Sequence, residues 1–420
     1  MMHVAIVGGG LAGFSCAQEV RRGDPQARIT IVDPQGAPYD RPPLSKEYLT
    51  GEMPRDKVFF HDEQWFAEQR IALVTDAVTR LDLAGLTVEL DGGESLTVDR
   101  VVLATGGRAR QLPIRGGDLA GLLSLRTLDD ADRLRAALVP GRRLAIVGAG
   151  LVGAEVASTA VASGVEVTLV DPVETPLLAA AGALVAGRLH AMHAAHGVRV
   201  IRAAIERIEA LPPTSPSLDP RSPSLDPRSP SLSRGYRLRL SDGSTLAADD
   251  VLLAVGLVPD DGLAREAGLE CEDGILVDRA QRTSHPHVLA VGDVTRRRAE
   301  GTSGIRHEHW EAAMRSGHTA AAALLGTDLP NHGASWWWSD RYGVHAEGLG
   351  DLGTGSSVVR ELGDGAVVDF RLADEGRLLG AAAIDAPRVV RAARRLMDAG
   401  IPVTAEDLAD PSVDLRKLGR

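Results

Sequence analysis

Residues 3–33 read HVAIVGGGLAGFSCAQEVRRGDPQARITIVD, and the order of parts in this stretch decides the fold. Val4 to Val7 is a short apolar run, β-branched enough for a buried strand. Gly8, Gly10 and Gly13 follow in GxGxxG spacing, then Phe14 to Arg21 reads as a helix. Ile29 to Val32 is a second buried strand, and it ends at Asp33, about 20 residues after the glycines. Each glycine has a physical task. Gly8 allows the tight turn, Gly10 lets a pyrophosphate approach the backbone, and Gly13 lets the helix lie close on the strand. The free N–H groups and positive dipole end of the helix then face the phosphates. Asp33 is placed to accept from a ribose hydroxyl. A lone GxGxxG says little, but strand, glycines, helix, strand and acid in this order specify a dinucleotide-binding unit.

The same pattern returns. Residues 142–171 read RRLAIVGAGLVGAEVASTAVASGVEVTLVD, with Gly148, Gly150 and Gly153 in the same spacing and Asp171 closing the strand. Neither copy has lost a glycine or its acid, so two dinucleotides are expected. Asp171 would accept from a free 2′-hydroxyl and repel a 2′-phosphate, and no Arg occurs between Asp171 and Gly187 to hold such a phosphate. NADH is therefore expected over NADPH. Glu155, early on the second helix, reads either as a helix-dipole carboxylate or as a charge facing the other cofactor.

Between and after these units the chain carries shorter signals. Pro38 to Leu49, PYDRPPLSKEYL, is an extended loop in which Ser45 can cap a following helix. It carries Arg41 and Lys46 past the acid of the second strand, either toward a bound nucleotide or simply into solvent. Residues 71–90 alternate as a small antiparallel meander. Asp99 to Gly106, DRVVLATG, is a buried strand ending in small residues, which leaves room at the carboxyl edge of the sheet where ligands sit. Asp250 to Asp260, DVLLAVGLVPD, repeats that element, and VLAVGD ends a strand at Gly292-Asp293. Val198 to Ile208 reads as a strand with Tyr236 to Leu240 as its hairpin partner. Between them SPSLDPR occurs twice, at 215–221 and 222–228, as a proline-rich surface insertion expected to be disordered. His190, His193 and His196 invite a metal reading, but the third drifts off the helical face and no acid or thiol accompanies them. A surface or packing role is expected.

Composition sets outer bounds. A chain of 420 residues with 44% apolar residues supports two or three domains. A net charge of −11 argues against nucleic-acid binding but leaves room for a small basic docking patch. Cys16 and Cys271 are the only cysteines, so no disulfide framework and a reducing, cytoplasmic setting are expected. The first strand starts at once, so no signal peptide is expected, and no apolar run reaches about 18 residues.

Taken in order, IVGGGLAG, RPPLSK, ATGGR, LRTLDDA, IVGAGLVGAE, AVGLVPD, VLAVGDV, RHEHWEAA and WWWSDRYG resemble the FAD-dependent pyridine-nucleotide oxidoreductases. The likeness is to the putidaredoxin-reductase-like ferredoxin reductase branch, which serves Rieske-type oxygenases. The resemblance implies an α/β fold of two Rossmann-like dinucleotide-binding domains in the glutathione-reductase-like arrangement, plus a C-terminal α+β domain. It implies an FAD domain at 1–110 and 258–325, an NAD domain at 111–257 with the insertion at 212–232, and a C-terminal reductase domain at 326–420.

By the same resemblance, FAD is held by Gly8, Gly10, Leu11, Ala12, Gly13, Asp33, Arg41, Lys46, Val78, Ala104, Thr105, Gly106, Arg126, Gly292 and Asp293, with His309, Trp310 and Trp338 beside it. NADH is held by Gly148, Gly150, Leu151, Val152, Gly153, Asp171 and Gly256. Lys46 is implied near flavin N5, with Glu155 as its ion-pair partner; these two are the implied catalytic residues. Core packing is the other reading of the five tryptophans, three of them consecutive at 336–338.

The implied activity is hydride transfer from NADH to FAD and single-electron transfer to a [2Fe–2S] ferredoxin that feeds an oxygenase, in a monomer or weak homodimer with no metal of its own. Family disulfide reductases carry Cys-x₄-Cys on the first helix, whereas here Arg21 stands at the partner position of Cys16, so a dithiol relay is excluded. An acidic ferredoxin requires a basic surface; Arg296, Arg297, Arg298, Arg315, Arg388, Arg391, Arg394 and Arg395 are the candidates, with solvated surface arginine as the plain alternative. The other readings are an NADH oxidase or quinone-type reductase, and a redox-sensing flavoprotein resembling the apoptosis-inducing-factor type. The sequence departs from the family in the absence of a basic residue after Asp171, in Asp260 where Asn is usual, in the SPSLDPR insertion and in a loosely matched RHEHWEAAMRSG.

Overall fold

The computed structural model describes residues 1–212, 235–299, 302–304 and 306–418; the SPSLDPR repeats lie outside them. The chain divides into two compact units. One comprises Met1–Pro43, Met53–Arg108 and Leu257–Trp337, the other Leu44–Glu52, Ala109–Gly256 and Trp338–Arg420.

The first unit is built on a five-stranded parallel sheet in the order Val288–Ala290, Arg100–Leu103, His3–Val7, Arg28–Val32, Ile71–Val74. The apolar runs of these strands are continuous because both faces are covered. Val4, Ile6, Ile29, Ile31 and Val102 enter one core with Phe14, Cys16 and Val20 of the helix Leu11–Gly23. Ala5, Val7, Val32, Val101 and Leu103 enter the other, with Leu81 and Val88. The helix Trp310–Leu325 packs along Leu11–Gly23.

Two expectations fail here. The first helix opens at Leu11, three residues before Phe14, so the glycine turn runs straight into it. Ile71–Val74 is not part of a meander. It pairs in parallel with Arg28–Val32, and only Val78–Asp82, Thr87–Leu90 and Ser95–Thr97 form the antiparallel sheet. A four-residue strand is too short for its periodicity to tell an edge strand from a hairpin strand.

The second unit repeats the plan with a four-stranded parallel sheet, Arg199–Arg202, Glu166–Asp171, Arg143–Val147, Asp250–Leu253. Leu144 and Ile146 face one core, with Val156 and Ala160 of the helix Leu151–Ala162, while Ala145 and Val147 face another. The expected single strand at 198–208 is two strands in two sheets. Arg199–Arg202 joins the parallel sheet, and Ile205–Ala210 pairs antiparallel with Tyr236–Leu240, the chain turning between them at Ala203-Ala204. The C-terminal sheet is antiparallel, in the order Trp336–Arg341, Val344–Gly350, Leu378–Ile384, Ala366–Leu372, Ser356–Gly363. Helix Pro387–Asp398 lies on it, with Val390, Ala393 and Leu396 buried. The fold is thus α/β, two Rossmann-like units with an α+β C-terminal part.

Candidate functional site

The first cradle forms where His3–Val7 meets its helix. Gly8 has φ +109°, and a Cβ there would lie 2.3 Å from the Ala104 carbonyl oxygen. A Cβ on Gly13 would lie 2.2 Å from the Gly8 carbonyl oxygen. No side chain fits at either position, and the space opened is at the carboxyl end of the sheet, where nucleotides bind. Leu11 and Ala12 form the first turn of the helix. Over Gly10 hangs the Arg41 guanidinium, its Nη1 3.0 Å from where a Cβ would be. A cation beside free helical N–H groups suits a pyrophosphate. Asp33 is already engaged: Oδ2 accepts the Gly9 N–H at 2.6 Å and Oδ1 the Gln35 N–H at 2.7 Å. A carboxylate has about four acceptor positions, so capacity remains for a ribose hydroxyl.

Around this cradle, Thr105 Oγ1 donates to the Asp260 carbonyl at 2.7 Å and the Asp260 N–H to the Gly106 carbonyl at 3.0 Å. Gly292 and Asp293 open a single 3₁₀ turn, and the Gly292 N–H is bound to Ser316 Oγ at 2.9 Å. Trp310 Nε1 donates to Asp40 Oδ1 at 2.9 Å. Val78 is half-buried at the start of its strand. His309, expected beside the cofactor, caps the helix Trp310–Leu325: its Nδ1 accepts the Ala312 N–H, and burial holds its pKa below the usual histidine value.

The second cradle, within the other unit, has the same geometry. Gly148 has φ +101°, a Cβ on it would lie 2.4 Å from the Ala254 carbonyl oxygen, and one on Gly153 2.0 Å from the Gly148 carbonyl oxygen. Asp171 accepts the Ala149 N–H at 2.7 Å and the Val173 N–H at 2.8 Å. Gly150 differs from Gly10, since no atom approaches the position of its missing Cβ within 4 Å. Leu151 and Val152 form the first helical turn, with Val152 exposed. Gly256, at φ +98°, accepts the Arg110 N–H at 3.0 Å through its carbonyl. Arg126 lies before the helix Leu128–Ala137, its N–H on Asp130 Oδ2 at 3.0 Å. Arg202 stands opposite Asp171 in the parallel ladder and pairs with Glu174 at 3.0 Å. Arg202 lies beyond the Asp171-to-Gly187 stretch that contains no Arg, and the parallel ladder brings it back beside Asp171.

The charged centre of the second unit gathers residues far apart in the chain. Lys46 Nζ lies 3.4 Å from Glu155 Oε1 and 3.5 Å from Asp340 Oδ2, and 5.8 Å from the centre of the Trp338 ring. Glu155 is buried. Its Oε2 accepts from Ser45 Oγ at 2.5 Å and its Oε1 from Ser339 Oγ at 2.7 Å, and Arg341 Nη2 donates to Ser339 Oγ at 3.0 Å. A buried carboxylate is tolerable only with such partners. Ser45 therefore does not cap a helix as expected; the residue at the cap is Lys46, and the Ser45 hydroxyl is given to Glu155. Asp340 accepts from His345 Nδ1 at 2.6 Å. Burial opposes the Asp340 charge, yet the hydrogen bond from His345 and the charge of Lys46 hold its carboxyl below the usual range. Asp340, His345, Ser339 and Arg341 were not singled out from sequence. The one available signal was the polar SDR following three tryptophans.

The histidine cluster packs around Tyr342. His193 is buried against Tyr342, with Nδ1 2.8 Å from the hydroxyl and its pKa pushed down to about 3 by burial, while His196 stacks on the same ring. Among the described residues no group of three or more His, Cys, Asp or Glu could hold a metal, and no helix is long and apolar enough to cross a membrane. Several expected docking arginines are spent elsewhere. Arg315 is half-buried, paired with Glu311 at 2.9 Å and donating to the Gly333 and Ala334 carbonyls. Arg296 binds the Gly304 carbonyl, Arg298 pairs with Glu270, Arg394 with Asp398, and Arg395 donates to the carbonyls of Leu415, Arg416 and Leu418. Arg297, Arg388 and Arg391 are exposed.

Residues 2–317 match the model of the pyridine nucleotide-disulphide oxidoreductase family, and residues 336–419 a reductase C-terminal domain. The chain belongs to this family. It is an oxidoreductase that works with FAD and NAD(P). The benzene 1,2-dioxygenase system ferredoxin–NAD(+) reductase subunit of Pseudomonas putida is 34% identical over 100% of this chain and 98% of its own. The biphenyl dioxygenase system ferredoxin–NAD(+) reductase component of Paraburkholderia xenovorans is 36% identical over 99% of this chain and 98% of its own. Among solved structures, the reductase of the covalent putidaredoxin reductase–putidaredoxin complex superposes with a TM-score of 0.88 at 29% identity, covering 99% of this chain and 98% of that one.

Proposed function

We propose that the chain is an NADH-dependent ferredoxin reductase that passes electrons to a [2Fe–2S] ferredoxin serving an oxygenase. The observation that carries this reading is two intact dinucleotide cradles in a chain whose only thiols are Cys16 and Cys271. Full-length likeness to the reductase components of dioxygenase systems supports it. Gly8, Gly10, Gly13, Asp33, Arg41 and Asp293 would hold FAD, and Gly148, Gly150, Gly153 and Asp171 would hold NADH. The FAD domain is taken as 1–110 and 258–325, the NAD domain as 111–257 and the C-terminal reductase domain as 326–420. Bound FAD would supply two-electron uptake from NADH and one-electron release to an iron–sulfur acceptor.

The residues of the chain supply position and charge. Lys46, restrained by Glu155 and Asp340, offers a fixed cation where negative charge develops, and Trp338 forms an apolar wall beside it. Arg388 and Arg391 on the helix Pro387–Asp398 offer the exposed positive charge an acidic ferredoxin needs. A cytoplasmic, reducing location belongs to the same reading.

Two tests arise here. Cys16 is buried and its pKa is pushed up to about 12 by burial, so it is neither a ready nucleophile nor a redox thiol. C16A should retain NADH-driven ferredoxin reduction within about twofold, a small packing loss being the expected cost; a complete loss in a folded, yellow variant would return a thiol to the mechanism. For the nicotinamide cofactor, kcat/KM should favour NADH over NADPH. Because Glu174 neutralises Arg202 beside Asp171, E174Q should raise NADPH use by about threefold and leave NADH nearly unchanged. Equal use of both cofactors by the unaltered enzyme would remove the NADH preference.

A further inference from the structure

We propose that His345 is a positioning residue: its protonation decides how the Asp340 carboxylate is shared with Lys46, and so how much positive charge Lys46 presents to the reacting cofactors. The inference rests on the placement of Lys46 at the flavin, and deepens it by naming what sets the charge there.

The geometry is a chain of four groups within one compact unit. His345 Nδ1 lies 2.6 Å from Asp340 Oδ1, Asp340 Oδ2 lies 3.5 Å from Lys46 Nζ, and Lys46 Nζ lies 3.4 Å from Glu155 Oε1. The first two residues sit on the facing strands Trp336–Arg341 and Val344–Gly350, joined by a tight turn in which Tyr342 and Gly343 have φ of 54° and 74°. The hairpin therefore fixes the imidazole against the carboxylate. The backbone N–H of His345 is bound to Asp385 Oδ1 at 2.8 Å, which holds the strand from the other side.

The charges facing His345 are Asp340 from its own hairpin, Glu347 with Oε1 3.9 Å from Nε2, and Asp385 from the loop after Leu378–Ile384. Lys46 approaches only through Asp340. The hydrogen bond to Asp340, and after it the negative charges of Asp340, Glu347 and Asp385, raise the pKa of His345 above the ordinary 6.5. The proton is therefore lost above pH 6.5.

Either form of the ring can donate through Nδ1, so the hydrogen bond itself survives deprotonation. What changes is charge. With neutral His345, the Asp340 and Glu155 carboxylates face two cations, the Lys46 ammonium and the Arg341 guanidinium. With protonated His345, Asp340 has one more cation to satisfy, and Lys46 is balanced mainly by Glu155. The hydroxyls of Ser45 and Ser339 on Glu155 carry no charge, and the Arg341 guanidinium keeps its charge whatever the state of His345, so neither offsets the difference. Lowering pH through the pKa of His345 thus makes the Lys46 site more positive, which favours electron uptake beside it.

The test uses the FAD-loaded enzyme, its reduction potential against pH, and ring-proton NMR of His345. H345Q keeps a donor for Asp340 but cannot be charged, and H345K is charged throughout. The unaltered enzyme should show an inflection above pH 6.5, on the acid side of which the reduction equilibrium is about three- to tenfold more favourable than the flavin's own pH dependence gives. H345Q should follow the basic limb at every pH, and H345K the acid limb. The His345 resonance, identified by its loss in H345Q, should titrate above 6.5 and fall back in D340N. An inflection retained in H345Q, or H345Q and H345K displaced in the same direction, would overturn the proposal. If the placement of Lys46 is itself wrong, K46M will leave the potential unchanged at every pH while the His345 titration persists, an outcome that overturns both.

Discussion

Replacing Gly148 with alanine should give a protein that keeps the yellow colour of bound FAD but is bleached by NADH about a hundredfold more slowly. Gly148 has φ +101°, which costs an L-residue about 1–2 kcal/mol. Its new Cβ would also lie 2.4 Å from the Ala254 carbonyl oxygen, far inside contact distance, so the glycine turn must move. Ala149 would move with it, and its N–H is the group that fixes Asp171 at 2.7 Å. A displacement of about 1 Å at a site that aligns a hydride donor costs roughly a hundredfold in rate, and that is the fall expected in NADH kcat/KM. G8A makes the matching perturbation in the first unit, with the Cβ 2.3 Å from the Ala104 carbonyl oxygen, and should give a protein that does not retain FAD. Stopped-flow absorbance separates the two variants, and a G148A enzyme reduced at the normal rate would refute the role of the second cradle.

The second large effect concerns Lys46 and Glu155. Both side chains are largely buried, at 13% and 8% exposure. Removing one charge of a buried pair costs about 3–5 kcal/mol when the other is left uncompensated. In K46M, Glu155 keeps two hydroxyl donors, and Asp340 keeps His345. The loss in urea unfolding should therefore be smaller, about 2 kcal/mol. E155L removes the carboxylate that both serine hydroxyls donate to and leaves Lys46 paired with Asp340 alone of its two carboxylates, and should cost about 3 kcal/mol. The double variant K46M/E155L should lose less than the sum, because an apolar pair can replace a buried ion pair almost without cost. Its catalysis should not recover. Loss of a fixed cation near developing charge costs about a hundredfold, whatever the stability. Additive stability losses would show that the two side chains do not act as a pair.

The two cradles were legible in the sequence because each depends on residues within about 30 positions of one another, and because glycine spacing reports directly where a side chain cannot fit. The parallel sheets were legible for the same reason: strands buried on both faces read as unbroken apolar runs, as Val4 to Val7 and Leu144 to Val147 do. Ile71–Val74 was misplaced because four residues carry no usable period. The strand expected at 198–208 failed because nothing in Ala203-Ala204 signals a break.

The charged centre was legible only in part. Lys46 and Glu155 were linked through a family resemblance, not through spacing, since 109 positions separate them. Asp340 and His345 looked like ordinary polar residues of a hairpin, and their partnership depends on the turn that brings their strands together. Ser45 satisfied every local rule for a helix cap, but tertiary structure gave its hydroxyl to a buried carboxylate instead. Arg315 likewise reads as a surface charge in sequence, whereas its position one helical turn after Glu311 ties the two together.

Electrons should enter this enzyme from NADH and leave singly to an iron–sulfur protein. Cytochrome c reduction by the FAD-loaded enzyme and NADH, with and without an added [2Fe–2S] ferredoxin from a dioxygenase system, measures this directly. Reduction should be slow with the enzyme alone, rise strongly with ferredoxin concentration, and consume little oxygen. Equal rates with and without ferredoxin, or rapid oxygen consumption in its absence, would contradict it.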